Sequence, residues 1–519
     1  MNIQKNTNFL FKYFPALISG LLLTLSFPKT GFSFLAFFAL VPLLVSIRPR
    51  TSKASFYSGF TAGLVHFLTL IYWVIPTVHV YGGLHPILAV STLTLLCFYL
   101  ALYPAIFAFL LKKLDPASCF SPILAACLWT GLEFIRTYAF TGFSWGGLGY
   151  SQYLNLSLIQ IADFSGVYGV SFLIVLVNYL LAVLFTGIKK NPGEKNFIPI
   201  FYTLLLIAGT VFYGHQKIKA IDSQIETAQK TTITVVQGNI KQDLKWTQEF
   251  KTRTVEKYIH LSNTQSKKQP DLVIWPETAL PFYYGHDRLL SEKVDQCVRS
   301  LKTNVLIGSP AFDSDKTQVR FYNRAYMLNR FSIITGTYDK NHLVPFGEYV
   351  PLGDYLTFLG KITAQAGNFS TGDTTFVPLK FNDHKTGVLI CFEILFPSIA
   401  AKFVKNGADL LTTITNDAWF GYTSAAQQHF SIAVLRAVEN RRAVARAANT
   451  GISGFIDPKG KILETTALFT DCAVTRQVPV LNRISFYTAH GDVFALSSIV
   501  AICLAFMLKG VREKFWRKA

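Results

Sequence analysis

The sequence predicts a chain in two parts: a bundle of about eight membrane-spanning α-helices, and a layered α/β sandwich inserted just before the last of them. Three observations lead there. The 519 residues are 51% hydrophobic and 14% aromatic, with a positive mean hydropathy, which exceeds what a water-soluble chain of this length carries. Lysine and arginine alternate between clustered and absent in successive segments separating the apolar runs. Between residues 230 and 480 the long apolar runs give way to short β-branched ones alternating with helical periodicity.

Apolar stretches suited to crossing about 30 Å of hydrocarbon fall near 9–26, 32–47, 55–75, 86–111, 121–138, 165–188, 197–214 and 493–509. The first two are short and joined by the turn SFPKTG, so they form a tight helical hairpin or a partly re-entrant pair. Charge placement orients the set, because cytoplasmic flanks collect Lys and Arg. Lys5 and Lys12, Arg48 with Arg50 and Lys53, Lys112 with Lys113, Lys189 with Lys190 and Lys195, and the tail from Lys509 to Lys518 fall on one side. The segments 76–86 and 139–164 on the other side hold no Lys or Arg, and the 27–31 turn holds only Lys29. Both termini are therefore expected inside. The domains are expected at 1–215 for the first seven spans, 216–490 for a polar insertion on the outer face, and 491–519 for the last span and tail.

Most of the net charge of +19 is accounted for by those inner flanks. No soluble face concentrates basic residues with interleaved aromatics, so nucleic acid is not an expected partner. The basic excess left on the outer insertion suits either anionic lipid head groups or an ordinary surface. Of seven cysteines, Cys97, Cys119, Cys127 and Cys503 lie in or beside apolar spans, and Cys297, Cys391 and Cys472 in the insertion make no CxxC pair. The ten histidines show no HExxH or comparable spacing, so no metal or other cofactor is expected. The apolar N-terminus lacks a small-residue cleavage site and reads as a retained span.

Within the insertion, TITVVQGNI at 232–240, DLVIWPE at 271–277, NVLIGSP at 304–310, TGVLICFE at 386–393 and ADLLTTITND at 408–417 read as buried strands ending in polar or turn residues. Helices are expected at 246–267, 287–302, 396–406 and 425–447. This alternation argues for a layered α/β sandwich with its reactive residues at strand ends. Cys391 stands at one such end. A thiol becomes an acyl-accepting nucleophile when one group removes its proton and another holds the developing oxyanion. Glu277 in WPE and Lys340 in YDKNHLVPFGE can supply those roles.

WPE, K-x-H-L-V-P-F-G-E and L-I-C-F-E, in that order and at these separations, resemble the Glu, Lys and Cys motifs of the nitrilase (carbon-nitrogen hydrolase) superfamily. VQGNIKQDLKW at 236–246, HLVPFGEYVPLG at 342–353, NDAWFG at 416–421 and RAVENRRAVARAANTG at 436–451, framed by seven spans before and one after, narrow the likeness. Together they resemble the superfamily's membrane-embedded branch, the apolipoprotein N-acyltransferase family of Gram-negative bacteria. The resemblance implies a nitrilase-like αββα sandwich, placed on the periplasmic side of the inner membrane. It implies Cys391 as nucleophile, Glu277 as general base and then acid, and Lys340, with the backbone N–H of Phe392, as holder of the oxyanion. A nearby ammonium is expected to lower the thiol from its ordinary pKa of about 8.5.

Glu348 matches a second glutamate that in this superfamily orients the lysine; an ordinary loop carboxylate is the competing reading. Glu393 would share a face with Cys391 along a strand, unless the chain turns and gives it a structural hydrogen-bonding role. The family often carries Tyr directly after the cysteine; Phe392 lacks that hydroxyl and keeps only the ring. Trp246, Phe282, Tyr283, Tyr284, Trp419 and Phe420 are candidates to line an apolar acyl-chain entrance, with core packing the alternative for each. Phe346 and Asn416, inside the family-like segments, join the substrate-binding candidates. The 357–373 segment reads as a lid or a surface loop, 139–164 as a loop able to underlie the sandwich, and Arg441, Arg442 and Arg446 as structural ion-pair partners.

The function implied is ping-pong acyl transfer. A membrane phospholipid acylates Cys391, and the α-amino group of an S-diacylglyceryl-cysteine at the N-terminus of an apolipoprotein takes the acyl chain as an amide. No nucleotide is required, and a monomer is expected. Two other classes compete: a membrane-tethered amidase or nitrilase, in which water resolves the thioester, and a non-enzymatic scaffold that binds lipoproteins.

Overall fold

The computed structural model describes residues 2–114, 120–186, 197–241, 248–314, 318–349 and 368–516. They divide into two compact units. One comprises Met1–Ile75, Val90–Lys217 and Asp492–Ala519, the other Pro76–Ala89 and Ile218–Gly491.

The first unit is helical. Among the described residues, Pro86–Leu114, Val167–Phe185, Phe197–Thr227 and Val493–Lys514 are long and apolar enough to cross a membrane. A fifth is added if Ser52–Leu70 and Val74–Tyr81, bent by 57° at their junction, count as one span. The expected 55–75 span is therefore broken. The helix ends at Leu70, Ile71 leaves helical geometry, and Pro76 leads into a π-helical turn at Thr77–Tyr81. The expected 32–47 span divides into a 3-10 turn at Ser33–Phe37 and a helix at Val41–Ile47 that begins beside Pro42. Over the expected 9–26 span the apolar helix is Lys12–Leu25. Helix Ser121–Tyr138 carries two buried ionisable residues, Glu133 and Arg136; Glu133 accepts from Trp129 Nε1 at 3.0 Å and from the Leu148 N–H at 2.8 Å.

Among the described residues, the second unit is built on two six-stranded sheets. Its strands are β1 (Lys230–Gln237), β2 (Leu272–Ile274), β3 (Asn304–Ser314), β4 (Val319–Leu328), β5 (Ile334–Asp339), β6 (Leu379–Phe381), β7 (His384–Ile390), β8 (Leu410–Thr415), β9 (Val444–Ala448), β10 (Gly454–Ile456), β11 (Ile462–Thr465) and β12 (Cys472–Pro479). One sheet runs β12-β1-β2-β3-β4-β5, the other β11-β10-β9-β8-β7-β6. Each has a parallel centre, β1-β2-β3 and β7-β8-β9, flanked by antiparallel strands. Central parallel strands are covered on both faces, which is why LVI, GVLI and LLTTIT read as continuous buried runs. Helix Gln248–Thr264 packs on the first sheet, with Arg288–Leu301 beside it in the same core cluster, and Pro397–Lys405 and Ala425–Asn440 pack on the second. Trp275 anchors the first layer, stacked on Tyr258 with ring centroids 5.2 Å apart and donating from Nε1 to Ser262 Oγ at 2.9 Å.

Three expectations need correction. The 425–447 helix stops at Asn440: Arg441 turns left-handed at φ 51°, and Val444–Ala448 continues as fully buried strand β9 beside β8. Alanine favours helix, but here pairing in the sheet centre decides. The 386–393 strand ends at Ile390, because Cys391–Leu395 forms a 3-10 turn. The flanking strands β4 to β6 and β9 to β12 lie outside the five strands read from the sequence.

Candidate active site

Four strand ends and one strand interior converge. Glu277 follows β2 by three residues, and Thr278 after it is left-handed at φ 48°, folding the WPE segment back over β3. That close approach requires Gly308: a Cβ there would stand 2.5 Å from the Pro276 carbonyl oxygen and 2.8 Å from Glu277 Cα. The Glu277 carboxylate is buried at 6% exposure. Its Oε2 accepts from the Asn416 backbone N–H at 2.8 Å, and its Oε1 from Asn323 Nδ2 at 2.7 Å.

Lys340 is the first residue after β5 and is 1% exposed. Its Nζ lies between two carboxylates, 2.9 Å from Glu348 Oε2 and 3.5 Å from Glu277 Oε1. Burial opposes its charge, but Glu348 and then Glu277 outweigh that and raise its pKa, so the ammonium is a fixed cation. Glu348 is presented by a tight turn in which its own N–H donates to the Val344 carbonyl and its Oε2 accepts from the Val344 N–H, at 2.9 and 2.8 Å. Asn323, inside β4, ties the pair together: Nδ2 donates to Glu277 at 2.7 Å and to Glu348 at 3.0 Å, and its carbonyl accepts from the Lys340 N–H at 2.9 Å.

Cys391 begins the 3-10 turn after β7 with φ 52°, a left-handed conformation that costs a non-glycine residue about 1–2 kcal/mol. Glu393 braces the turn from below. Its Oε2 accepts from the Ile390 N–H at 2.7 Å, and its Oε1 from Tyr338 OH, the Asn341 N–H and the His342 N–H at 2.7, 2.7 and 3.1 Å. Glu393 is therefore a structural clasp joining the ends of β5 and β7. Burial pushes its pKa up to about 7 against those four donors. The expected acidification of the thiol does not occur. Burial first, then the Glu277 charge, pushes Cys391 up, and the opposing pull of Lys340 is smaller. At rest the Cys391 side chain is a neutral thiol.

The remaining candidates fare differently. Trp246 and 350–367, with most of the 357–373 segment, lie outside the described residues. Phe282 and Tyr284 are buried in the core cluster, while Tyr283 is 37% exposed and meets Phe312 edge-on. Trp419 is half-buried, meeting the Tyr81 ring edge-on at 5.8 Å while its carbonyl accepts from Thr77 Oγ1 at 3.0 Å. Phe420 lies edge-on to His429, and Phe346 is 53% exposed at φ 60°. Asn416 holds Glu277 through its backbone, and its Oδ1 accepts from Asn449 Nδ2 at 3.0 Å. Phe392 packs with His342 and Phe396. Arg446 pairs with Asp417 at 2.8 Å, whereas Arg442 donates to the carbonyls of Ala408 and Arg483 and Arg441 to that of Pro458. Sequence reasoning missed Asn323, Asp417 and His429. His429 carried a signal, a polar residue in a helix that otherwise reads as buried, and Asp417 closed a buried run, but Asn323, in a strand not read from the sequence, carried none.

Two families match the chain: the Apolipoprotein N-acyltransferase N-terminal domain over residues 19–180, and Carbon-nitrogen hydrolase over residues 232–480. An Apolipoprotein N-acyltransferase of Geobacter metallireducens is 40% identical over 97% of this chain and 96% of its own length. The chain belongs to the apolipoprotein N-acyltransferase family. Relatives of the same name from Pasteurella multocida and Haemophilus influenzae are 31% and 30% identical, covering 97% and 98% of this chain and 97% of each relative. As an apolipoprotein N-acyltransferase family member the chain is an N-acyltransferase with a nitrilase-like domain and membrane-type helices, and the converging Glu277, Lys340 and Cys391 lie within that domain.

Proposed function

We propose that this protein moves a fatty acyl chain from a membrane phospholipid to the α-amino group of the S-diacylglyceryl-cysteine that begins an apolipoprotein, through a thioester on Cys391. The observation that carries the reading is the fixed Lys340 ammonium between the buried Glu277 and the half-buried Glu348 carboxylates, beside a thiol on a left-handed elbow. Because the thiol rests protonated, attack needs a base at the moment of reaction, and the Glu277 carboxylate is that base. The thiolate adds to the ester carbonyl. Lys340 Nζ and the Phe392 N–H hold the oxyanion, and Glu277 returns the proton to the departing lysophospholipid hydroxyl. In the second half, Glu277 takes a proton from the attacking amine and returns it to the sulfur as the amide forms. Glu348 serves as counter-ion to Lys340, keeping Nζ directed into the site and leaving Glu277 free to accept a proton.

Four described helices, or five with the bent pair, are long and apolar enough to span, and the placement of Lys and Arg supports a full set of eight spans with both termini inside and the Glu277–Lys340–Cys391 domain on the periplasmic side of the inner membrane; a monomer is the working unit of this reading. Two lipid-anchored substrates then meet by lateral diffusion. The test is incubation with a phospholipid bearing an alkyne-tagged acyl chain. Hydroxylamine-labile label on the wild type and none on Cys391→Ala is the expected result. No label on folded wild type would transfer the weight to hydrolysis of small amides.

A further inference from the structure

The peptide that carries the oxyanion donor is held from behind. The Cys391 carbonyl and the Phe392 N–H are opposite ends of one planar unit and point in opposite directions. The carbonyl accepts a hydrogen bond from His429 Nε2 at 3.2 Å, and since a carbonyl can only accept, Nε2 carries the proton. His429 Nδ1 has two neighbours of opposite demand, Asp417 Oδ1 at 3.1 Å, which can only accept, and Arg446 Nη2 at 3.0 Å, which can only donate and also donates to Asp417 Oδ2 at 2.8 Å. His429, Asp417 and Arg446 are all buried, and Gly451 gives Asp417 its room, since a Cβ there would stand 2.2 Å from Oδ2. Burial first, and then the Arg446 charge, lower the His429 pKa against the opposing pull of Asp417, which favours the singly protonated imidazole, and the Cys391 carbonyl takes that one proton on Nε2.

We propose that His429, held by Asp417 and Arg446, is a positioning residue for acyl transfer: its hydrogen bond to the Cys391 carbonyl fixes and polarises the Cys391–Phe392 peptide, so that the Phe392 N–H meets the oxyanion. The inference rests on the acyl-transfer reading above. The left-handed Cys391 needs a tie from outside its own turn to hold that peptide plane, and His429, on helix Ala425–Asn440, supplies one. Phe392 is in the first turn of a 3-10 helix, where an N–H has no acceptor within the helix and is available to a ligand. A hydrogen bond at one end of a peptide strengthens donation from the other.

The test uses the full-length protein in detergent, with the rate of hydroxylamine-labile acylation and the rate of Cys391 alkylation by iodoacetamide read on each variant. Alkylation creates no oxyanion, so it reports the thiol alone. His429→Leu is expected to slow acylation about ten- to a hundredfold, short of or equal to the loss of a whole oxyanion donor, while alkylation stays near the wild-type rate. His429→Gln, whose amide reaches the same carbonyl, is expected to recover most of the acylation. Should the leucine variant not fold, His429→Asn, whose amide stops short, takes its place. Wild-type acylation without the donor overturns the inference. So does a parallel loss of acylation and alkylation, or a glutamine variant as slow as leucine. Failure of the wild type itself to label overturns the acyl-transfer reading and the inference with it.

Discussion

Asn323→Leu tests how the two carboxylates are kept in place. The wild-type Nδ2 donates two charge-assisted hydrogen bonds, 2.7 Å to Glu277 and 3.0 Å to Glu348, from a residue 5% exposed. Such bonds contribute about 1.5–3 kcal/mol each, and water cannot readily replace them at that depth. After the change Glu277 Oε1 retains only Lys340 Nζ, now 3.5 Å away. Closing that gap recovers part of the loss, so a net cost of about 2–4 kcal/mol is expected. The closure also ties the proposed base to the ammonium, which slows acylation by about tenfold or more. The measurements are the unfolding midpoint in detergent, followed by tryptophan fluorescence, and the single-turnover acylation rate. Stability within about 0.5 kcal/mol of wild type together with a wild-type acylation rate would refute the reasoning. Asn323→Asp is the companion variant. It adds a third carboxylate beside two others, so its activity relative to wild type should rise as pH falls and the new group becomes a donor.

Three further outcomes follow from the same geometry. Glu393 holds its proton up to about pH 7 in the fold and to about 4.5 when unfolded, so its contribution is full below the lower value and is lost as pH rises through the upper one, by about 3 kcal/mol. Glu393→Gln should flatten stability across that window while costing about 1–3 kcal/mol throughout, because an amide N–H cannot accept from the Ile390 N–H; equal pH slopes in both proteins would count against it. Alkylation of Cys391 should be slower than that of a free thiol at pH 8 and still climbing above pH 9, and a plateau by pH 8 would mean that Lys340 outweighs burial. Gly308→Ala should displace the WPE segment and lower the unfolding midpoint sharply, with acylation falling alongside; unchanged activity would show that the segment yields without moving Glu277.

Glu277, Cys391 and Asn416 were legible because each stands where an apolar, β-branched run ends abruptly, in LVIWPE, GVLICFE and LLTTITND, whereas Lys340 follows a strand not read from the sequence and stood out only through its motif. What hid was whatever depends on a partner distant in sequence. RAVARAA has helical composition and becomes β9 only because β8 and β10 flank it. Asn323 sits in the strand VRFYNRAYML, and nothing local says that its amide faces two carboxylates arriving from 277 and 348. The thiol's protonation depends on how far burial outweighs one ammonium, a balance that residue order does not carry. Hydropathy located the helices but could not show the break after Leu70, where each residue is apolar enough to continue and Pro76 redirects the path.

Pro76–Ala89 belongs to the same compact unit as the two sheets, although more than a hundred residues of helical chain separate it from β1. The two-sheet unit is thus a discontinuous module, and cutting the chain at 217 yields neither natural unit. A fragment beginning at 218 would bare the Trp419 ring where Tyr81 covers it and leave the Trp419 carbonyl without its Thr77 donor. Fragment complementation offers a direct use of that fact: a peptide spanning 76–89, supplied in trans, should bind such a fragment and quench or shift its tryptophan emission. Any transplant of this two-sheet unit onto another helical bundle would have to carry that short strap along with it.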